Sequence, residues 1–282
     1  MKRFILLFLF AFILCSCGEP IDSSSVLEVS SVQENSSESV SDDASSVTIP
    51  EDEPYVELTA LTDEEIANLK LPEEYTSTIY SDGFFTKELI AISFTKGAKK
   101  ANEPLYVVIS RDGGETWEEQ VFDDSSYYQN FISFSSEKNG CLIIEIEYYL
   151  GGQSVCCAYT THNGGKSWQQ ATSPNTVCTW AISDVLFTSR NVGFVCHRSL
   201  SESVPVFTRT VDGGLSWEKI TLDTEELKNN KASYGYIKTA EFSDGVIEFT
   251  VEFCDNTKVD SDRIFYSKYI SSDMGQTFEK AE

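Results

Sequence analysis

Four ten-residue phrases carry the most regular set of potential ligand atoms in the chain. Each has an aspartate or asparagine, hydroxyl residues and a glycine, so it could form a calcium loop, a glycan loop or a self-bonded turn. A calcium loop brings several carboxylate and carbonyl oxygens together, whereas the loop position that the phrases share supplies a single carboxylate or amide. We therefore expect a structural role. The phrases are SRDGGETWEE (110–119), THNGGKSWQQ (161–170), TVDGGLSWEK (210–219) and SSDMGQTFEK (271–280).

The positions that the phrases share suit a tight turn and a buried aromatic ring. The aspartates and the asparagine can accept hydrogen bonds from backbone N–H groups of their own turn, and the glycines can adopt positive φ. The tryptophans and the phenylalanine can bury a large face between neighbouring repeats. The predicted structural residues are Asp112, Gly114, Trp117, Asn163, Gly165, Trp168, Asp212, Gly214, Trp217, Asp273, Gly275 and Phe278.

No other pattern points to catalysis. The sequence has no GxSxG motif, phosphate loop or histidine-based triad, and its two histidines and its cysteines lack the spacing of zinc ligands. Glu145 and Glu147 alternate with Ile144 and Ile146, as on the polar face of a half-buried strand. The 45 acidic residues leave a two-carboxylate glycosidase open. We assign no catalytic residue, metal or cofactor, and expect the chain not to be an enzyme.

The spacing of the phrases predicts the fold. From about residue 75, runs rich in Val, Ile, Tyr and Phe alternate with Gly, Asn, Asp and Ser turns, which is typical of β-strands. The aromatic positions of the phrases are separated by 51, 49 and 61 residues, which indicates the four-stranded blades of a propeller. We predict an all-β propeller of four visible blades, leave a fifth open, and expect PYVELTAL to supply a missing edge strand. A turn-like motif precedes each phrase: YSDGFF, FSSEKNG, FTSRNVG and FSDG.

A short helix is predicted ahead of the strands. Thr62 and Glu65 form a capping box, and Leu61 and Ile66 occupy the hydrophobic-staple positions. These signals predict a helix over 63–70 that ends before Pro72. The propeller domain is expected to comprise residues 55–282.

On these phrases the chain resembles the BNR or Asp-box repeat proteins, with four copies over about residues 75–282. Proteins with this repeat include sialidases, sortilin-type receptors, xyloglucan hydrolases and photosystem II assembly factors. The resemblance implies that each phrase connects the third and fourth strands of a blade. It also implies that ligands bind at the opposite end of the propeller.

The residues implied for that ligand face are mostly aromatic. Together with the cationic side chain of Arg198, these aromatic rings could bind sugar rings or a peptide. Alternatively, they could fill the centre of the propeller. The three arginines of a sialidase are difficult to assemble, because Arg111 lies within a phrase and Arg190 in a turn at the other end. The implied face contains Tyr127, Tyr128, Tyr148, Tyr149, Trp180, His197, Arg198, Tyr234 and Tyr236.

The N-terminus predicts export. Lys2 and Arg3 precede an apolar stretch (4–14) that is too short to span a membrane, and LCSC follows. LCSC resembles a bacterial lipobox, which implies a signal peptide over 1–16 and a lipid on Cys17; an ordinary secretory signal is the alternative. Residues 17–54 are rich in Ser, Asp and Glu and have no Lys or Arg, which is typical of a disordered tether. We expect a chain anchored to the outer face of the bacterial cell membrane.

The net charge narrows the classes of partner, and the cysteine content bears on disulfide formation. A formal net charge of −24 disfavours nucleic acid, whose binding surfaces are basic. In an exported chain the remaining cysteines could form disulfides, or they could be buried thiols that pack as small apolar groups. They are Cys141, Cys156, Cys157, Cys178, Cys196 and Cys254.

These features favour a non-catalytic, membrane-anchored lipoprotein whose propeller binds a protein or glycan at the cell envelope. One alternative is a glycoside hydrolase, sialidase-like but degenerate or of unfamiliar type. The other is an assembly factor for membrane proteins. A pair of carboxylates facing a central pocket would favour the hydrolase.

Overall fold

The structure, a computed structural model, describes residues 51–53, 56–72, 79–95, 104–122, 129–149, 152–199, 202–258 and 263–281. These residues form four antiparallel four-stranded sheets, here called sheets I to IV, and a few short helices. The predicted all-β fold is therefore confirmed. No helix in the described ranges is long and apolar enough to cross a membrane.

Sheets I and II come first in the chain. Their strands are β1 (Ile79–Phe85), β2 (Ile90–Thr95), β3 (Leu105–Ser110) and β4 (Glu118–Phe122), then β5 (Gln129–Phe134), β6 (Gly140–Tyr149), β7 (Gln153–Thr161) and β8 (Gln169–Ala171). Sheets III and IV follow. Their strands are β9 (Ala181–Phe187), β10 (Gly193–Arg198), β11 (Val206–Thr210) and β12 (Glu218–Thr221), then β13 (Tyr234–Ser243), β14 (Val246–Cys254), β15 (Ile264–Ser271) and β16 (Glu279–Lys280). The helical segments are α1 (Asp63–Ala67), a 3-10 turn (Pro174–Thr176) and α2 (Glu225–Lys228).

The sheets are arranged as propeller blades around their first strands. The strand order within every sheet follows the chain, and β1 lies beside β5, β5 beside β9, and β9 beside β13. The first strands therefore form the inside of the fold and the fourth strands its rim, as in a β-propeller. The prediction of four visible blades is confirmed.

Three apolar cores fill the spaces between neighbouring sheets. Trp168 packs between sheets I and II, Trp217 between sheets II and III, and Phe278 between sheets III and IV. The Trp168 ring meets the rings of Phe122 and Phe134 edge-on, each with 6.0 Å between ring centroids. Each of these repeats thus inserts its aromatic ring into the interface with the sheet before it, which holds consecutive sheets together.

The Asp-box turns lie between the third and fourth strands, at what is here called the Asp-box end. In sheet I, Asp112 Oδ1 accepts hydrogen bonds from Ser110 Oγ at 2.8 Å and from the Thr116 N–H at 2.9 Å. Gly114, whose φ is +92°, donates its N–H to Ser110 Oγ at 2.8 Å. Bonds from the Thr116 hydroxyl and N–H lower the pKa of Asp112 to about 2. The same pattern recurs around Asn163, Asp212 and Asp273.

Residues 61–71, here called the cap, cover the outer face of sheet I. Leu61, Leu69 and Leu71 pack on an apolar cluster of that face that consists of Ile90, Ile92, Phe94 and Val108. Trp117 Nε1 donates to the Lys70 carbonyl at 3.3 Å. Sheets II, III and IV each pack one face on the preceding sheet, whereas sheet I packs the corresponding face on the cap. No apolar core joins sheets I and IV among the described residues.

Helix α1 begins as the capping box predicts. The Thr62 N–H donates to Glu65 Oε2 at 2.7 Å, and the Glu65 N–H donates to Thr62 Oγ1 at 3.3 Å. The helix ends at Ala67 and not at residue 70, because Asn68 leaves the helical conformation at φ −95° and ψ 1°. Asn68 forms a turn, and Leu69 and Leu71 then pack on sheet I.

Residues 51–53 and 56–60, here called the strap, run along the Asp-box end. Asp52 Oδ2 accepts a hydrogen bond from Ser189 Oγ at 2.6 Å, in the turn between β9 and β10. Glu53 Oε2 accepts one from Asn139 Nδ2 at 3.0 Å, in the turn between β5 and β6. The strap thus joins sheets III and II before it reaches sheet I.

The expected edge strand from PYVELTAL does not form in the described part of that segment. Ala60 makes a single bridge with Thr86, in the turn between β1 and β2, and the Lys87 N–H donates to the Thr59 carbonyl at 2.8 Å. Leu58 is buried in the core between sheets I and II. The segment is held at sheet I by these contacts and does not extend sheet IV.

One of the four turn-like motifs also differs from expectation. FSSEKNG, FTSRNVG and FSDG form the turns between first and second strands, but YSDGFF lies within β1, with a β-bulge between Tyr80 and Asp82. The turn follows it, where Thr86 Oγ1 donates to the Leu89 carbonyl at 2.8 Å.

The six cysteines that the structure describes form no disulfide. All of them except the half-buried Cys157 are buried. Cys141, Cys156 and Cys196 lie in the apolar cores between the sheets, where they pack as small apolar side chains.

Candidate active site

The end opposite the Asp-box turns is here called the upper end. Tyr127 and Tyr128 lie outside the described residues, as do the side chains of Tyr148 and Tyr149 at the end of β6. The other implied ligand residues form two groups. Trp180 immediately precedes β9 and His197 lies in β10, and Arg198, Tyr234 and Tyr236 lie where sheet III borders sheet IV.

His197 is an interior residue and not a ligand contact. Its side chain is 1% exposed, Nδ1 lies 3.0 Å from the Trp180 carbonyl and Nε2 lies 3.2 Å from Thr208 Oγ1. Burial lowers its pKa to about 4, so the ring is neutral at pH 7. The prediction that His197 lies on the binding face is therefore wrong, because both ring nitrogens are used inside the sheet.

Trp180 is half-buried and held in place by an ion pair. Its Nε1 donates to Glu202 Oε1 at 2.9 Å, and Lys219 Nζ lies 2.7 Å from the same oxygen. The hydrogen bond from Lys219 is the main cause that lowers the pKa of Glu202. The carboxylate is thus ionised at neutral pH and fixes the edge of the indole.

The outer face of sheet IV carries the richest chemistry of the upper end. Directly opposite residues in an antiparallel ladder share a face, and here Tyr234 lies opposite Cys254, while Tyr236 lies opposite Glu252 and Glu252 opposite Tyr266. Their neighbours along β14, Val251 and Phe253, point the other way, into the core with sheet III. We call this surface the polar face. It comprises Tyr234, Tyr236, Lys238, Glu252, Cys254, Ile264 and Tyr266.

Glu252 lies at the centre of the polar face. Its Oε2 is 2.8 Å from Lys238 Nζ and accepts a hydrogen bond from Tyr266 Oη at 3.1 Å. Burial by itself would raise the pKa of Glu252, but the bonds from Lys238 and Tyr266 outweigh it and lower the pKa below the ordinary value. Burial and the Glu252 charge raise the pKa of Tyr236. The group therefore combines an ionised carboxylate with two tyrosine hydroxyls and an ammonium group.

Two aspartates of the inner strands brace neighbouring sheets. Asp82 Oδ2 in β1 accepts a hydrogen bond from the Ile132 N–H of β5 at 2.7 Å. Asp184 Oδ2 in β9 accepts one from the Ala240 N–H of β13 at 2.8 Å. These carboxylate oxygens are bound to backbone of the next sheet, which is a structural role.

Glu145 also differs from expectation. The sequence pattern places it on a polar surface of β6, yet its side chain is 0% exposed, and Oε1 accepts a hydrogen bond from the Ile182 N–H of β9 at 3.1 Å. The expectation is wrong because this face of β6 packs against sheet III, where the first strand presents a backbone donor. A β-bulge between Glu145 and Glu147 interrupts the alternation.

In the part of the chain that the structure describes, no three His, Cys, Asp or Glu residues lie close enough to hold a metal ion. The sequence analysis missed Lys238, Glu252 and Tyr266. The alternation of β14 puts Glu252 on a polar face, but its contacts with β13 and β15 depend on strand register, which is set by a bulge between Ile237 and Thr239.

Comparison with known protein families identifies the repeat. Residues 108–119 match the BNR/Asp-box repeat family. No curated protein sequence matches the chain significantly. Among solved structures, the fold is similar to an α-L-arabinanase of Penicillium chrysogenum complexed with arabinobiose, at 12% identity and a TM-score of 0.47, over 82% of this chain and 72% of that chain.

Two further structures are similar. The family-93 α-L-arabinofuranosidase of Fusarium graminearum matches at 11% identity and a TM-score of 0.45, over 74% of this chain and 68% of that chain. The sialidase of Trypanosoma rangeli matches at 14% identity and a TM-score of 0.36, over 76% of this chain and 41% of that chain. At such identities the likeness describes the fold alone.

The comparisons correct one expectation from the sequence. The main hypothesis was a non-catalytic binding module, and it is contradicted, because the similar solved structures are mostly glycan-processing enzymes. They agree better with the alternative, a glycoside hydrolase.

Proposed function

We propose that the chain is a glycoside hydrolase of the bacterial envelope, of unfamiliar type, with its active centre on the polar face of sheet IV. The observation that carries the proposal is the contact of Glu252 with Lys238 and Tyr266. This contact lies on a face that takes no part in the core with sheet III.

The protonation state of Glu252 suits the chemistry. Hydrolysis of a glycosidic bond needs a carboxylate that activates water or attacks the sugar itself. The bonds from Lys238 and Tyr266 lower the pKa of Glu252, so it is ionised at neutral pH. We assign Glu252 as the base that takes a proton from the attacking water, and Lys238, whose ammonium group lies beside it, as the acid that gives a proton to the oxygen of the departing sugar. Tyr266 positions the carboxylate of Glu252.

The surrounding rings suit a sugar. Tyr266 is 52% exposed and Tyr234 is 37% exposed, so both rings are accessible from solvent. Aromatic faces with a few placed polar groups are the usual lining of a ligand site. Lys238, whose Nζ lies 4.8 Å from the Tyr266 ring centroid, can also donate to a sugar hydroxyl.

The N-terminal sequence supports the location. The LCSC motif and the acidic tether favour a lipid on Cys17, with the propeller held outside the membrane. The partners that we propose are the membrane, through this lipid, and a glycan of the envelope.

The catalytic proposal is tested with the detergent-solubilised full-length protein on a panel of neutral and acidic oligosaccharides, with released reducing sugar as the readout. We expect Glu252→Gln to lower kcat by about 100-fold or more, as the loss of a general base does. The matched control is Glu248→Gln. Glu248 is on the same strand and also pairs with a lysine, Lys268, at 2.6 Å. Absence of release by the unmodified protein, or equal kcat in Glu252→Gln, would overturn the proposal.

The anchor is tested separately. Cells that express the full chain or Cys17→Ser are labelled with a radioactive fatty acid and fractionated. We expect label and membrane association in the first and neither in the second. Equal labelling of both chains would show that Cys17 does not carry the lipid.

A further inference from the structure

We propose that Arg198 and Arg263, on either side of Tyr234, form a subsite for an oxyanion carried by a sugar, a carboxylate or a sulfate. The inference deepens the proposed function and rests on it for the choice of a glycan, so that the substrate class becomes an acidic glycan. Its test measures binding, which is independent of turnover.

Arg198 approaches the polar face from sheet III. It is the last residue of β10, it is exposed, and its Cζ lies 5.0 Å from the centroid of the Tyr236 ring. Tyr236 is two residues from Tyr234 on β13, so both rings lie on the same side of the strand. Stacking on Tyr236 fixes the plane of the guanidinium group at the upper edge of the polar face.

Arg263 approaches from the other side. Its Nε donates to Cys254 Sγ at 2.8 Å, and its Nη2 donates to Asn256 Oδ1 at 2.7 Å. Cys254 lies directly opposite Tyr234 in the ladder between β13 and β14. Two bonds to β14 and the residues that follow it thus orient the guanidinium group beside Tyr234.

Both guanidinium groups act on the same phenol. The hydrogen bond with Cys254 is the main cause that raises the pKa of Tyr234, and burial adds to it, while Arg263 and Arg198 both lower it. The geometry agrees, since Arg263 is bonded to Cys254, the ladder partner of Tyr234, and Arg198 lies over Tyr236, two residues from Tyr234.

These two arginines differ from the other arginines of sheets I to III. Arg111 pairs with Glu118, Arg190 with Glu53 and Arg209 with Glu218. Within the described ranges, neither Arg198 nor Arg263 pairs with a carboxylate, although the chain has 45 acidic residues and only 21 basic ones. A chain with a net charge of −24 repels anions, so an anionic ligand needs such a local exception.

The chemistry of this pair selects an oxyanion. A planar guanidinium group matches the geometry of a carboxylate or sulfate and can hold it by two parallel hydrogen bonds. Tyr234, opposite Cys254 in the ladder and two residues from Tyr236, would offer its ring to the sugar that carries the anion. Glu252 lies opposite Tyr236, two residues further along β13, which corresponds to about 7 Å. An acidic sugar at Tyr234 would thus place its neighbouring glycosidic bond near Glu252.

The test is equilibrium binding of three probes to the full-length protein in detergent. The probes are a galacturonate trisaccharide, a sulfated galactose trisaccharide and the neutral galactose trisaccharide. We expect the acidic probes to bind at least tenfold more tightly than the neutral probe, and the tighter of the two to identify the oxyanion. Equal affinity for the acidic and neutral probes would overturn the inference.

The variants are Arg198→Gln and Arg263→Gln, with Lys228→Gln as an exposed charge control on α2. Each arginine variant should lose about tenfold in affinity for the acidic probe and none for the neutral probe, and Lys228→Gln should bind as the unmodified protein does. Arg198→Lys keeps the charge and the fold but loses the planar fork, so it should recover only part of the affinity. Unchanged binding by both glutamine variants would refute the subsite.

The outcomes separate the two proposals. Glu252→Gln should bind the acidic probe normally while it fails to hydrolyse. If the protein binds acidic sugars without any turnover, the subsite stands and the catalytic proposal fails. If it hydrolyses neutral glycans without preference for acidic ones, the catalytic proposal stands and the subsite fails.

Discussion

The outer faces of sheets I and IV, the first and the last of the four, are built from opposite kinds of residue. In sheet I, β2 and β3 are buried on both sides, and the outer side (Ile90, Ile92, Phe94 and Val108) lies under the cap. In sheet IV, β14 alternates, with Phe249, Val251 and Phe253 buried and the intervening residues half-buried.

This difference shows how each end of the repeat series is completed. An apolar outer face must be covered, and the cap does so with leucines and a main-chain acceptor for Trp117. A terminal repeat can instead carry a polar outer face that tolerates water, as the ends of repeat proteins commonly do. The polar face of sheet IV is therefore accessible to a ligand, whereas the corresponding face of sheet I is not.

The strongest test of the comparison replaces one aromatic residue on each face. Phe94 is fully buried and stacks on Tyr106 at 5.7 Å, so we expect Phe94→Ala to lower the free energy of unfolding by about 3–5 kcal/mol. Tyr266→Ala, at a residue that is 52% exposed, should cost less than about 1 kcal/mol. Denaturant titration of both variants measures the difference. Equal losses would show that the two faces are packed alike.

A smaller effect is expected from the start of the cap. Thr62→Ala removes the side-chain acceptor for the Glu65 N–H, so it should lower the free energy of unfolding by about 1 kcal/mol. Hydrogen exchange should quicken in α1 and remain unchanged in sheet IV. Thr59→Ala, at an exposed strap residue whose backbone makes the contacts, is the control. If the cap does not stabilise sheet I, Thr62→Ala and Thr59→Ala will have the same free energy of unfolding.

The smallest effect concerns the pH dependence of stability. It tests whether the polar face of sheet IV, unlike the apolar outer face of sheet I, carries an ionised carboxylate. The pKa of Glu252 is lowered on folding, so its contribution to stability is complete above the ordinary value of 4.5 and is lost as the pH falls through the lower folded value. The group is partly exposed, so solvent screens the effect and we expect only a fraction of a kcal/mol. Tyr266→Phe removes one hydrogen bond and should raise the pKa of Glu252, as followed by carboxyl NMR. A Glu252 pKa at or above 4.5 in the unmodified protein would contradict the assignment.

Much of the fold could be predicted because its signals are local. The four phrases each contain an Asx residue, a glycine and an aromatic ring within eight residues, and the structure places every one of them between a third and a fourth strand. The capping box of Thr62 and Glu65 is likewise contained in four residues, and α1 begins there.

The candidate site could be predicted only in part, because it depends on register between distant strands. Tyr236 is among the residues that the resemblance implies for the ligand face, but Glu252 and Tyr266 join it only through the ladders of β13 with β14 and of β14 with β15. His197 has a residue type that is common in ligand sites, yet it is buried, and its Nε2 contacts Thr208 on the neighbouring strand. Nothing in the local sequence reports such cross-strand partners.

The strap has a mechanical consequence. It reaches the propeller at the Asp-box end and contacts, in turn, the turns of sheets III, II and I through Asp52, Glu53 and Ala60. A pull on the N-terminal side of residue 51 would therefore load three sheets at once and would not peel β1 away from sheet I. If Cys17 anchors the chain as proposed, the strap carries that pull into the propeller at the Asp-box end, away from the upper end where the polar face lies.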